Sequence, residues 1–184
     1  MKKVTRDEIL DFVTYSEQRE RIRSEVMAIK APRRIHLGEF LTFLFETTET
    51  VRYQVLEMVR TEQIVKEAEI RHELETYNEL LGEAGELGCT LLIELEDPAE
   101  RAVKLRAWRS LPDHLYLLLE DGERVRAQYD RRQIDDTRLS SVQFLKFATR
   151  GRAPVAIGAD HPELTVEVRL NPEQGAALRS DLAR

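Results

Sequence analysis

The chain has 184 residues, enough for one domain with a sizeable core, and its 42% hydrophobic and 34% charged residues are those of a folded globular protein. A net charge of −6 argues against nucleic-acid binding through a general basic field, and no stretch approaches the roughly 18 apolar residues of a membrane span. The start, MKKVTRDEILDF, lacks an apolar run of signal-peptide length, and Cys89 is the single cysteine. Together these point to a cytoplasmic protein with neither an internal disulfide nor a cysteine-built metal cage, and with Cys89 as a small buried apolar residue.

In chain order, Thr5 with Glu8 has the spacing of a capping box and opens a short helix. Thr14 with Glu17 repeats it for a longer helix that runs to about Lys30, where Pro32 stops it. LTFLFE (41–46), apolar on both faces, reads as a central strand, and residues 51–65 and 70–81 carry apolar residues at helical spacing. CTLLIELE (89–96) is a strand, followed by a helix capped by Asp97 with Glu100 and with Pro98 in its first position. HLYLLLE (114–120) and ERVRAQYD (123–130) are strands joined at Asp121-Gly122, a pair suited to a type I′ turn, which needs positive φ at both central residues. SVQFLKF (141–147) and ELTVEVRL (163–170) are further strands, and Asn171-Pro172 with Gln174 opens the last helix. GEAGELG (82–88) and residues 148–162 read as loops. This order predicts an α+β fold, a mainly antiparallel sheet covered by helices, as a single domain over residues 1–184.

The acid-rich run 54–81 raises the chemical question. Placed at about 100° per residue, Val51, Val55, Met58, Val59 and Val65 share an arc with Glu62 near its centre. On the next helix Ile70, Leu74, Tyr77, Leu80 and Leu81 share an arc that contains Glu73. A carboxylate on a core-facing stripe must be paired, metal-bound or protonated. Two readings therefore stand for Glu62 and Glu73: pairing with arginine or a backbone cap, or an acid-base or metal-binding carboxylate site. Glu69-x-x-His72 has the spacing of a di-iron motif, but that chemistry needs two such motifs and inward-facing histidines, and His72 falls on the polar side. His36, His114 and His161 show no metal-ligand spacing, so no metal site is assigned. Arg124, Arg126, Arg131, Arg132 and Arg138 crowd the second hairpin strand and the following loop. Arg124 and Arg126 share one strand face, opposite Val125, Ala127 and Tyr129. Arg124, Arg126 and Arg131 are candidates for an anion site, for a solvated edge, or for partners of Glu62 and Glu73.

The runs FLFETTETVRYQVLEMVRTEQI (43–64), IRHELETYNELL (70–81), TLLIELEDPAERAVKL (90–105) and SSVQFLKF (140–147) resemble an uncharacterised bacterial family of cytoplasmic proteins, domain of unknown function 3501. In this chain its signature would be Phe45-Glu46, Gln54, Glu57-Met58, Glu62, Glu73, Tyr77-Asn78, and Ser141 with Gln143. The resemblance supplies no reaction and no cofactor. It implies proteins encoded beside iron–sulfur oxidoreductases of the heterodisulfide-reductase type and beside rubrerythrin-like proteins, and hence such a redox protein as partner. The first functional reading is a non-enzymatic accessory or binding protein serving that redox system. The second is an enzyme or metal-binding protein built on Glu62 and Glu73 with Gln54, Glu57, Tyr77 and Asn78 around them. The sheet leaves edge strands to cover, from which a homodimer is expected.

Overall fold

The protein is described here by a computed structural model that covers residues 1–134 and 137–184, apart from the side chain of Arg132. The α+β expectation holds, and every strand pairing among the described residues is antiparallel. The strands nevertheless divide between two four-stranded sheets. One has the order β1 (Arg34–Leu37), β2 (Leu41–Phe45), β3 (Leu87–Ile93), β6 (Val142–Phe147). The other has the order β5 (Arg124–Arg126), β4 (Leu115–Leu119), β7 (Pro154–His161), β8 (Leu164–Arg169). Side-chain alternation tells which face of a strand is buried, but not which strand lies beside it. Because β6 occupies the edge of β3, β4 pairs instead with β5 and β7.

The inward residues of both sheets, among them Phe43, Phe45, Leu91, Leu115, Leu117, Phe147 and Ile157, form one buried cluster. Cys89 belongs to it, as its alternating context requires. A second cluster lies among the helices α1 (Phe12–Lys30), α2 (Thr48–Thr61) and α3 (Glu67–Asn78), where Tyr15, Val51, Val55, Val59, Ile70 and Leu74 are buried together. The remaining helices are α4 (Pro98–Ala107), the short α5 (Leu111–His114) and α6 (Pro172–Leu182). None is long and apolar enough to cross a membrane, among the described residues.

Local rules account for most boundaries. Asp97 and Asn171 cap α4 and α6 by accepting the N–H groups of Glu100 (2.7 Å) and Gln174 (2.8 Å), and Pro98 and Pro172 fill the first helical positions. Helix α1 starts earlier than Thr14. Asp11 is its cap, accepting from Val13 and Thr14 N–H at 3.0 Å each, while the Thr14 hydroxyl donates to the same carboxylate at 2.7 Å. A carboxylate offers more acceptor sites than a hydroxyl, so the upstream acid takes the cap. The β4–β5 hairpin forms around Gly122, but only Gly122 has positive φ (87°), so the turn is not type I′. Gly122 N–H donates to Leu119 C=O and Leu119 N–H to Glu123 C=O, giving a three-residue loop closed by a left-handed glycine.

Strand β7 falls within the stretch read as loop. Its Pro154 stands at the first strand position, where the missing donor is tolerated, and Gly158 lies under the Tyr116 ring: a Cβ there would come within 2.4 Å of it and displace the ring. Proline and glycine marked this central strand as a loop for reasons visible only in three dimensions.

The two ends of the fold are joined by a buried ion pair. Arg33, in the turn after α1, donates from Nε (2.8 Å) and Nη2 (2.7 Å) to the two oxygens of Asp181 in α6, and from Nη1 to Ile29 C=O (2.7 Å). Removing one partner leaves an uncompensated buried charge. Asp181→Ala is expected to destabilise the protein by about 3–5 kcal/mol in urea unfolding, and the apolar pair Arg33→Met with Asp181→Leu to recover most of that loss.

Candidate functional site

Helix α2 ends in a Schellman motif that decides the position of Glu62. Gln63 adopts the left-handed conformation (φ 51°), its N–H donates to Arg60 C=O (3.3 Å), and Ile64 N–H reaches back to Val59 C=O (2.9 Å). Ile64 then packs with Val59 in the helical core. The helical wheel stops at Thr61, so Glu62 lies beyond the apolar arc and is exposed, as is Val65. This corrects the expectation of a core-facing Glu62. Glu73, on α3, is half-buried. The two carboxylates do line one open concavity of about 320 Å³, together with Glu69 and His72. Neither has a hydrogen-bond or ion-pair partner among the described residues, and no arginine is shared between them. No group of three or more His, Cys, Asp or Glu among the described residues is arranged to hold a metal ion.

The other four candidates have separate roles. Glu57 binds α1 to α2: Arg19 donates to both its oxygens (2.8 and 2.9 Å) and the buried Tyr15 hydroxyl donates at 2.5 Å. Arg19, followed by the Tyr15 hydrogen bond, holds the Glu57 carboxyl below the usual carboxylate range against the opposing effect of burial. Asn78 clamps the N-terminal segment, accepting Val4 N–H (2.8 Å) and donating to Val4 C=O (2.9 Å). Gln54 lines a crevice of about 230 Å³ with Glu57, Met58 and Tyr77, and its buried Oε1 is without a partner among the described residues. Tyr77 borders that crevice and also a larger groove.

That groove, of about 600 Å³, runs between the C-terminal end of α3 and the outer face of β6. Tyr77, Leu80, Tyr129, Phe144 and Leu145 make its walls apolar, and Lys146 brings an ammonium with no ion-pair partner among the described residues. On the outer face of the sheet Phe144, in the groove wall, is 42% exposed, and Val142, beyond the groove, is 38% exposed. The strand edge behind the groove is closed. Lys146 exchanges backbone bonds with Gln128 (2.8 Å each), Gln133 uses its side-chain amide to bond both Phe144 N–H (2.7 Å) and C=O (3.2 Å), and Ser140 Oγ accepts Val142 N–H (3.2 Å). Burial, then Glu73 and Glu62, raise the Tyr77 phenol. Burial, then the bond to Asp113 (2.8 Å), push Tyr129 up to about 12. Both phenols are therefore neutral near pH 7, and the Tyr129 hydroxyl is already engaged with Asp113. Its strand residues carried a faint sequence signal in the outward apolar positions 142 and 144.

The arginines have an internal partner. Asp160 receives Arg126 at both oxygens (2.7 Å each), Arg124 at 3.3 Å and His114 Nδ1 at 3.3 Å. The Arg124 guanidinium also lies 4.2 Å from the Tyr116 ring centre. Arg124 and Arg126 therefore pair with Asp160 rather than with Glu62 or Glu73. Arg131 is exposed on the wall of a separate open cleft with Arg106 and Arg109, and the Arg132 side chain lies outside the described residues.

A serine–histidine contact that sequence reading missed sits beside this cluster, with Ser110 Oγ 3.1 Å from His161 Nε2. Glu163 N–H donates to His161 Nδ1 (3.2 Å), so in the neutral ring the proton sits on Nε2 and points at the serine. That tautomer cannot take the serine proton, which removes the pair from consideration as a nucleophile and base.

These features define a two-sheet α+β protein with a groove between α3 and β6. The chain belongs to the family described as "Protein of unknown function (DUF3501)", whose profile matches residues 3–182. A solved structure with the same architecture is the novel protein of unknown function from Burkholderia pseudomallei K96243. It is 33% identical over 98% of this chain and 100% of that one, with a TM-score of 0.89. No curated protein matches.

Arg126, the first cause, and His114 hold the Asp160 carboxyl down at about 2. A depressed folded-state value gives stability that is present above the unfolded value near 3.9 and lost as pH falls toward 2. Because the partners are partly exposed, the effect is on the order of 1 kcal/mol. Asp160→Asn is expected to flatten the fall in unfolding free energy between pH 4 and pH 2 by about that amount, measured by denaturant titration at each pH.

Proposed function

We propose that the protein is a cytoplasmic accessory protein that binds a redox partner through the groove between α3 and β6. The observation that carries this reading is the groove itself: a preformed concavity in the size range of ligand sites, with aromatic walls and one unpaired ammonium. Glu79 and Asp130 line it beside Lys146, so it suits an apolar segment whose flanking residues carry both charges. The family resemblance suggests an iron–sulfur oxidoreductase of the heterodisulfide-reductase type, or a rubrerythrin-like protein, as that partner. Burial in the core and the nearby Glu46 charge raise the Cys89 thiol well above its usual range. The single thiol is thus neither a thiolate nor accessible, and any electron transfer would belong to the partner.

A second reading, an enzyme or metal-binding protein using a carboxylate site at Glu62 and Glu73, rests on the gathering of Glu62, Glu69, His72 and Glu73 around one concavity, although these side chains are not arranged as a ligand set in the unbound chain. The two readings separate in a binding titration with each candidate partner. Phe144→Ala and Lys146→Glu are expected to weaken binding at least tenfold, about 1.4 kcal/mol, with Glu62→Gln unchanged. Unchanged affinity in both groove variants would contradict the groove reading, and stoichiometric metal lost on Glu62→Gln would establish the second.

A further inference from the structure

We propose that the protein forms a two-fold dimer by antiparallel pairing of β8 with β8 of a second copy, centred on Val168. The open side of this strand follows from its hydrogen bonding to β7. Arg169 stands opposite Ala156, and the adjacent Leu170 N–H donates to Val155 C=O (3.0 Å). In an antiparallel ladder that makes Ala156–Arg169 a non-hydrogen-bonded pair, and alternation gives the same status to Gly158–Glu167 and Asp160–Thr165. The N–H and C=O groups of Thr165, Glu167 and Arg169 therefore point away from β7. No described residue bonds to them there. The contrast with β6 is informative, since that edge is closed by Gln128, Gln133 and Ser140. One long edge is blocked by three separate devices, and the other is left free.

The side chains along β8 select a second copy as its occupant. With the axis through Val168, each Glu167 stands directly opposite Arg169 of the other copy, and the outward backbone groups of those residues exchange their bonds. Both side chains are exposed, and Arg169 has no ion-pair partner among the described residues. Glu167 accepts one bond, from the Tyr116 hydroxyl at 2.8 Å, and its other oxygen is open. On the inner face the same register sets Val168 against Val168 and Val166 against Leu170, all of them partly exposed in a single chain. Competing registers are worse. An axis through Glu167 places that carboxylate against itself, and an axis through Val166 brings Arg169 against the turn at 162–163 instead of a strand. Pairing about Val168 joins the two β5-β4-β7-β8 sheets into one of eight strands.

Light scattering over a dilution series, beginning well above micromolar concentration, is expected to give a mass of two 21.4 kDa chains for the natural protein. Arg169→Glu makes both cross-strand pairs repulsive and should raise the dissociation constant at least tenfold. The exchange Glu167→Arg with Arg169→Glu restores opposite charges in this register and should restore the dimer, with circular dichroism confirming the fold of each variant. A single-chain mass at every concentration, an Arg169→Glu protein as dimeric as the natural one, or a folded exchange variant that stays monomeric would each overturn the proposal.

Discussion

The groove depends on one close backbone approach. A Cβ at Gly88 would stand 1.9 Å from the carbonyl oxygen of Leu80, and one at Gly82 would stand 2.5 Å from that of Glu86. Residues 80–82, at the end of α3, thus lie against residues 86–88, at the start of β3, at a distance only glycine allows. Gly85, in the left-handed conformation (φ 79°), completes the turn, and its carbonyl receives Gly151 N–H and the Thr149 hydroxyl at 3.2 Å each. The stretch that reads as a loop, residues 82–88, fastens the helical layer to the first sheet. Because β6 pairs directly with β3, fastening α3 to β3 also sets the distance from Tyr77 and Leu80 to Phe144 and Lys146.

The acid-rich run illustrates how context divides residues of one type. Glu57 is held by arginine and tyrosine, Glu46 is buried and accepts the Thr50 (2.5 Å) and Thr90 (2.7 Å) hydroxyls, and Glu62 and Glu73 face an open concavity unpaired. A buried carboxylate persists where donors surround it, as at Glu46, and an unsatisfied one is placed where water can reach it. The same logic assigns Arg124 and Arg126: two guanidinium groups on one strand face meet Asp160 across the neighbouring strands, a contact between positions 34 and 36 residues apart.

Much of the fold was legible because it is local. Asp97 and Asn171 capped their helices as their spacing requires, Arg124 and Arg126 shared an outer face, and Cys89 was buried. What escaped is non-local or set by a single backbone angle. Division into two sheets depends on strand order, which periodicity does not encode. Strand β7 was hidden by Pro154 and Gly158, the latter lying under the Tyr116 ring. Glu62 was misplaced because Gln63 turns left-handed one residue later and ends the wheel that put Glu62 in the core. The groove as a whole was not legible, since its walls come from Tyr77 and Leu80, Gln128, Tyr129 and Gln133, and Phe144 to Lys146, stretches far apart in the chain that the approach at Gly88 and the bonds of Gln128 and Gln133 to β6 bring together.

That dependence is most directly tested by hydrogen exchange on Gly88→Ala. An added methyl cannot fit against the Leu80 carbonyl, so α3 must shift from β3. The expected result is faster exchange across α3 and at Val4 N–H, the group held by Asn78, with exchange around the Arg33–Asp181 pair unchanged. Exchange in α3 and at Val4 identical to that of the natural protein would contradict the claim that this contact sets the groove.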